Sequence, residues 1–472
     1  MEATVAAPAT ERLGPLDSAF LYGETAGHPL HIGAVCVFDA GPLTASDGAL
    51  LYEDLCRLVE SRIHRVPRLR QRVVAVPLDM GRPVWADDTD FDVRHHMRRT
   101  ALPSPGSWDQ LLDLAGRLQA RPLDRARPLW EFWFVENVCG RRIALVPKIH
   151  HSLGDGVSLV DLALLLLDPS DAVAEEDPEP RSWQPVPAPS EMQRVWDAVV
   201  DSARVAGDAA RGAVQRVRTP AATLEDGTAL VRTLRSALHF TAPIGIKGKV
   251  GPRRQLRTLS VPLERVGRVR RAHGSTLNDV VLCAAADGLR EQLGVPGLPA
   301  RNRNPRAVVP VSMRSTDDHG HGLLGNRVSL MLPELAVHVA DPVERLALVS
   351  AEMTARKAES EARHTGSVLD VARYLPPAGL RAASRGVMRT QPFASILVTN
   401  VPGPAFPLYL RGSRMHELYP YLGPLGGMGL VVAVASYDGN LTITVTADPD
   451  LAGDVSAFAE GMEKGMHALA SV

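Results

Sequence analysis

The sequence predicts a mixed α/β protein built in two large halves, and three observations carry that reading. At 472 residues the chain exceeds what one hydrophobic core ordinarily holds. Runs rich in β-branched residues alternate with stretches of helical periodicity in both halves. Between the halves, residues 172–190 (AVAEEDPEPRSWQPVPAPS) are acidic and proline-rich with little to bury, which marks a linker. We therefore divide the chain into a first domain over 1–170, a linker with connecting helices over 171–250, and a second domain over 251–472.

Each element has a local reason. HIGAVCVF (31–38) reads as a strand and residues 49–63 as an amphipathic helix; 108–118 predicts another helix, followed by strands over 129–135 and 142–149. From Asp155, DGVSLVDLALLLLD is helical until Asp168-Pro169 stops it. Residues 191–218 carry Met192, Val195, Trp196, Val199 and Ala203 on one side, which we read as a helix packed between the domains. Its lesser reading is an interfacial helix touching lipid, because Arg211, Arg216 and Arg218 cluster at its end. Further on, LNDVVLCAAADGLREQL (277–293) is a buried helix. RAVVPVSM, RVSLMLPEL, SILVTNVPG, GLVVAVASYDG and LTITVTAD are strands, the last two joined by a hairpin turn on Asp438-Gly439.

Composition narrows the function. Lys plus Arg number 52 against 53 for Asp plus Glu, so the chain lacks the positive excess that a nucleic-acid binder brings to phosphates. Cys36, Cys56, Cys139 and Cys283 form no CxxC pair and read as reduced core residues of a cytoplasmic protein. The N-terminal residues show no apolar run flanked by basic residues, so no signal peptide is expected. Apolar runs such as 159–167 fall short of the roughly 20 residues a bilayer demands, which leaves peripheral contact with a membrane or lipid droplet.

The chemistry concentrates in His150-His151-Ser152-Leu153-Gly154-Asp155-Gly156, between a strand and a helix. Successive strand residues face opposite sides, so one of the two histidines points at a given cavity. Imidazole is the natural base for drawing a proton from a hydroxyl. Asp155 either fixes the loop through an ion pair or caps the following helix. A second pair, His95-His96, lacks the following Asp-Gly and reads as surface or strand decoration. A metal site lacks a convincing third ligand at a matching spacing. A serine nucleophile lacks a GxSxG elbow.

HHSLGDG matches the HHxxxDG motif of the condensation-type, CoA-dependent acyltransferases. PLDSAFLYGE (15–24), PLHIGAV (29–35), RVPRLRQRV (65–73), RPLWEFWFVE (127–136), STLNDVVL (275–282), VPVSMRS (309–315), LLGNRVS (323–329) and TNVPGP (399–404) follow in order. Together they resemble the bacterial wax ester synthase/diacylglycerol acyltransferases over almost the whole chain. The resemblance implies two chloramphenicol acetyltransferase-like domains, each a mixed sheet backed by helices, with the active site at their interface. It implies a long-chain acyl-CoA as co-substrate, a fatty alcohol or diacylglycerol as acceptor, and no cofactor or metal. His151 is then the catalytic base and His150 a less direct neighbour. Asp155 would hold the loop through Arg70 or Arg314, and Gly156 would leave room for the thioester. Asn278, beside Asp279, either donates to the oxyanion or caps the helix that follows. The Pro128-Leu129-Trp130 triplet is expected to pack the core or a tunnel wall. Two departures bear on the acceptor. Val431 stands where the family often has asparagine, and TAPIGIKGKVGPRR (241–254) is extended. The alternatives are the same chemistry on a sugar, polyketide or carrier-bound amine, an inactive scaffold that kept the fold, and a metal-dependent hydrolase.

Overall fold

The computed structural model describes residues 10–25, 27–154, 167–172, 183–218, 244–297, 304–312, 328–362, 375–391 and 393–471. In chain order the first half contains β1 (Thr10–Arg12), α1 (Pro15–Gly23), β2 (His31–Asp39), α2 (Tyr52–Arg62), β3 (Gln71–Val74), β4 (Val84–Asp87), β5 (Met97–Ala101), α3 (Trp108–Ala120), β6 (Trp130–Val138), β7 (Arg142–His150) and α4 (Glu191–Arg218). The second half contains β8 (Gln255–Pro262), α5 (Leu263–His273), α6 (Leu277–Gly297), β9 (Ala307–Ser312), β10 (Val328–Met331), α7 (Pro342–Ala362), α8 (Pro377–Thr390) and β11 (Ile396–Val401). It ends with β12 (Tyr409–Leu410), β13 (Ser413–Leu422), β14 (Leu430–Tyr437), β15 (Asn440–Ala447), α9 (Pro449–Ala452) and α10 (Ser456–Ala470).

Two six-stranded mixed sheets dominate, ordered β12-β13-β2-β7-β6-β5 and β10-β9-β11-β14-β15-β8, beside a small β1-β4-β3 sheet. β13 comes from the second half of the chain yet pairs antiparallel with β2 of the first, from Met415 opposite Phe38 to Leu422 opposite Ile32. No periodicity in 413–422 announced that partner, because a strand's neighbour is chosen by long-range packing. The β14–β15 hairpin turns at Asp438 and Gly439, both with positive φ (42° and 79°), as the Asp-Gly pair predicts for a type I′ turn.

The cores follow from the period of two. In β14, Val432 and Val434 pack under α5, α6, α7 and α10, while Val431 points the other way. Val431 joins Leu397 and Val308 against Ile32, Cys36, Phe38, Phe132 and Phe134 of the first sheet. One hydrophobic core thus runs between the two sheets and welds them. The opposite face of the first sheet is covered by α3, whose start carries a complete capping box between Ser107 and Gln110. Trp108 of α3 donates its indole N–H to Thr258 Oγ1 on β8 (2.9 Å), a second tie between the halves.

Four readings are corrected here. His96 is buried, not surface decoration. Its Nδ1 meets the Trp130 carbonyl at 2.8 Å and its ring stacks on Trp130 (4.4 Å) and Phe91 (5.4 Å), while His95 stays outside against Arg127. Trp183, within the linker, closes that stack: it meets Phe91 edge-on and lies 4.3 Å from the Arg70 guanidinium. Cys139 is exposed, at a turn, rather than in the core. The helix 191–218 turns Met192, Trp196 and Val199 to solvent and rests on Ala198, the reverse of a helix packed by its apolar stripe. The cap of α6 is Thr276, not Asn278: Asp279 N–H donates to Thr276 Oγ1 and Thr276 N–H to Asp279 Oδ2.

Gly33 sits at the tightest point of the first sheet, where an added Cβ would lie 2.2 Å from the Pro147 carbonyl oxygen and 2.6 Å from the Tyr421 ring. Overpacking of this kind typically costs about 1–3 kcal/mol. Gly33→Ala is therefore expected to lower the urea midpoint at unchanged slope, and a variant as stable as wild type would show that β2, β7 and β13 are not held at this spacing.

Candidate active site

The histidine pair lies where β7 ends. His31 of β2 stands directly opposite His150, and past that pair the His151 N–H donates to the Leu30 carbonyl at 2.9 Å. The chain then turns, with Leu153 N–H bonded to the His150 carbonyl. This turn sends the two side chains to different environments. His151 is half-buried and its ring lies flat on Phe20 of α1, with centroids 4.0 Å apart and planes 13° from parallel. His150 is fully buried. Its Nδ1 accepts the Ser152 N–H at 3.0 Å and faces the Ser152 hydroxyl at 2.7 Å, so Nδ1 presents its lone pair and Nε2 carries the proton of the neutral ring.

Behind the pair is a buried carboxylate. Glu24, just past α1, places Oε2 at 3.4 Å from His150 Nε2 and Oε1 at 3.4 Å from His31 Nε2. Arg125 closes the cluster with Nη2 at 2.5 Å and Nε at 3.2 Å from Glu24 Oε2. Burial works against ionisation of Glu24, but His150, His31 and Arg125 outweigh it and hold the carboxyl far below the usual range. Burial lowers His31 to about 4, against the pull of Glu24. Lys148, two residues before His150 on β7, is likewise driven down to about 8 by burial, and its ammonium donates to the Arg121 carbonyl at 2.5 Å. The wall behind His151 is thus a cluster of polar groups set into an apolar sheet.

The other residues singled out in the sequence fall as follows. Asp155, Gly156 and Arg314 lie outside the described residues. Arg70 is buried with its guanidinium against Trp183. Asn278 is half-buried on the first turn of α6, and Asp279 is buried, accepting from Thr276 N–H (2.8 Å) and the Ser350 hydroxyl (3.1 Å). Leu129 and Trp130 are wholly buried in the first core. Phe20, Glu24, His31 and Arg125 were not singled out. Three of them stand inside the PLDSAFLYGE and PLHIGAV stretches, but nothing in their spacing says that a strand pairing will bring them onto a histidine 120 residues away. Among the described residues, no group of three His, Cys, Asp or Glu is disposed to hold a metal ion.

Comparison with known proteins bears directly on this arrangement. Residues 13–281 match the model of the wax ester synthase/diacylglycerol acyltransferase catalytic domain, and residues 324–470 match that of the family's C-terminal domain. The chain belongs to the wax ester synthase/diacylglycerol acyltransferase family. It is an acyltransferase. It is 32% identical to a probable diacylglycerol O-acyltransferase, tgs1, of Mycobacterium tuberculosis, over 98% of this chain and 96% of that one. A second from the same organism, tgs2, is 35% identical over 90% and 91% of the two chains. Among solved structures it shares the fold of a wax ester synthase/diacylglycerol acyltransferase from Marinobacter aquaeolei VT8 (TM-score 0.66, 24% identity, 98% of this chain and 100% of that one). It also shares the fold of the first condensation domain of the calcium-dependent antibiotic synthetase (TM-score 0.61, 18% identity, 98% and 96%). The two chloramphenicol acetyltransferase-like domains that the resemblance implied are the fold of this family. Acyl-CoA is the acyl donor such enzymes use.

The buried imidazoles of this region make stability depend on acid. An unfolded chain takes up protons on histidine near pH 6.5, whereas folded His31 resists protonation down to about 4. The unfolded state binds more protons in that window, so stability should fall as pH drops from about 6.5 toward about 4, with His28 and His96, also lowered by burial, contributing in the same sense. Denaturant titrations across this range should show the loss, and His31→Asn should flatten part of it; an unchanged profile in the variant would mean that His31 is protonated in the native fold.

Proposed function

We propose that the enzyme transfers a long-chain acyl group from acyl-CoA to the hydroxyl of a fatty alcohol or a diacylglycerol, giving wax ester or triacylglycerol, with His151 as general base. The observation that supports this most is the division of labour in the pair: His150 is committed to Ser152 and Glu24, while His151 lies half-buried on Phe20. Phe20 would fix the plane of the imidazole for proton transfer.

In the reaction the alcohol proton moves to His151 as the oxygen attacks the thioester carbonyl carbon. Negative charge gathers on the carbonyl oxygen and requires a donor, for which half-buried Asn278 is a candidate. The tetrahedral adduct collapses with cleavage of the carbon–sulfur bond, and His151 returns the proton to the departing thiolate of CoA. The step balances without a covalent acyl-enzyme, a metal or another cofactor. His150 and Glu24 act as positioning residues by fixing the turn after β7. Asp155 would hold the other side of that turn through Arg70 or Arg314, with Gly156 leaving space for the thioester and Asp279 supporting α6.

Both acceptors dissolve in lipid rather than water, so a cytoplasmic enzyme of this kind would meet them at a membrane or lipid-droplet surface. No described helix is long and apolar enough to cross a membrane.

Thiol release from palmitoyl-CoA with hexadecanol or diolein tests the reading. His151→Ala should cut acceptor-dependent release by about 10²–10⁴-fold, the usual contribution of a general base, with the melting transition retained. Release that persists at the wild-type rate in this variant would remove His151 from the mechanism. Glu24→Gln should lower kcat more than it raises KM, because it loosens the support of the turn rather than a substrate contact.

A further inference from the structure

Three adjoining elements leave apolar side chains in water. On α4, Met192 and Trp196 are 83% and 68% exposed, with Val199 beside them, and all three share one side of the helix. The helix is held from its other side: Ala198 presses on Gly81, where an added Cβ would lie 2.7 Å away, and Asp201 pairs with Arg12 at 2.7 Å. Adjoining α4 is the tight turn Pro77–Asp79, in which Leu78 and Asp79 both adopt left-handed backbone (φ 55° and 54°). That turn leaves Leu78 91% exposed with Met80 next to it. Asp79 in turn pairs with Arg381 of α8 at 2.6 Å, which joins the third element to the other two.

α8 supplies charge. Its residues 377–390 include Arg381, Arg385 and Arg389 and no acid, and Arg385 and Arg389, one turn apart, are both exposed. On α4, Glu191, Asp197, Asp201 and Asp208 stand beside Arg194, Arg204, Arg211, Arg216 and Arg218. The edge formed by α8 is therefore positive. α8 also lies over α1, with Met388 against Gly23, and α1 carries Phe20, the residue stacked on His151. The exposed face thus adjoins the element that frames the catalytic ring.

We propose that Leu78, Met80, Met192, Trp196 and Val199, bordered by Arg385 and Arg389, form a docking face for a lipid surface with anionic headgroups. This rests on the acceptor reading above and names the surface through which the acceptor's own phase is met. The chemistry selects the occupant. Single protruding Leu, Met and Trp side chains suit insertion among acyl chains, and arginines at the rim suit lipid phosphates.

Flotation of the full-length protein with phosphatidylcholine vesicles, with and without phosphatidylglycerol, tests this. Wild type should partition onto the mixed vesicles in preference to phosphatidylcholine alone. The double variant Leu78→Ser, Trp196→Ser should lose about ten-fold or more in partitioning. Arg385→Glu with Arg389→Glu should erase the preference for the anionic vesicles. All four positions are exposed and outside the catalytic turn, so CoA release with a water-soluble short-chain alcohol should stay at the wild-type rate in both variants. Equal flotation of wild type and variants overturns the proposal. So does concentration-dependent dimerisation, seen by sedimentation, that the Leu78→Ser, Trp196→Ser variant abolishes while vesicle binding persists. Failure of the acceptor reading is a separate result: vesicle binding intact, with no acceptor-dependent release from hexadecanol or diolein.

Discussion

A carboxylate removed from water must be compensated, and in this protein the compensation is also what shapes the site. Glu24 sits behind the histidine pair: the Arg125 guanidinium meets its charge, and the imidazoles of His31 and His150 face its two oxygens, the three converging from the loop after α3, β2 and the end of β7. Removing Arg125 would leave that charge without its opposite in an apolar sheet. The cluster therefore fixes the register of β2 against β7, the tautomer of His150 and the direction of the turn that carries His151. Phe20, four residues before Glu24, is delivered to the His151 ring by the same helix that delivers the carboxylate.

The two sheets supply the rigid frame for that convergence. Alternate residues of β14 and β11 serve two cores at once, Val431 and Leu397 toward the first sheet and Val432 and Val398 toward the helices of the second half. β13 crosses back to complete the first sheet. A site built at such a junction inherits its stiffness from both halves, which is the requirement for holding an imidazole in one plane during proton transfer. At the periphery the same fold relaxes, and α4 is fastened by small and polar residues with its largest apolar side chains left outside.

The position of Val431 shows how a departure in sequence acquires meaning only in three dimensions. It stands where the family often has asparagine, and in the fold it is completely buried in the core between the sheets. An asparagine there would need partners for its amide in an apolar setting. The valine fills the space without that demand, so the difference alters packing between the sheets.

Local pattern determined much of this protein. Runs of apolar and β-branched residues marked the strands over 31–38, 142–149, 429–439 and 441–448, Asp438-Gly439 marked the hairpin, and the HHxxxDG run with its companion stretches marked the family and the candidate base. These features depend on near neighbours in the chain, which a sequence displays directly. Tertiary structure decided the rest. His96 became a core ring because Trp130 and Phe91 pack on it, although it stands among Arg94, His95, Arg98 and Arg99 in sequence. The apolar stripe of α4 faced outward because Ala198 and Asp201, not Trp196, found partners. Glu24 and His31 joined the site because strand pairing brought distant residues into one buried volume, where the cost of an uncompensated charge selects its neighbours. That cost is set by burial, and burial is a property of the folded chain alone.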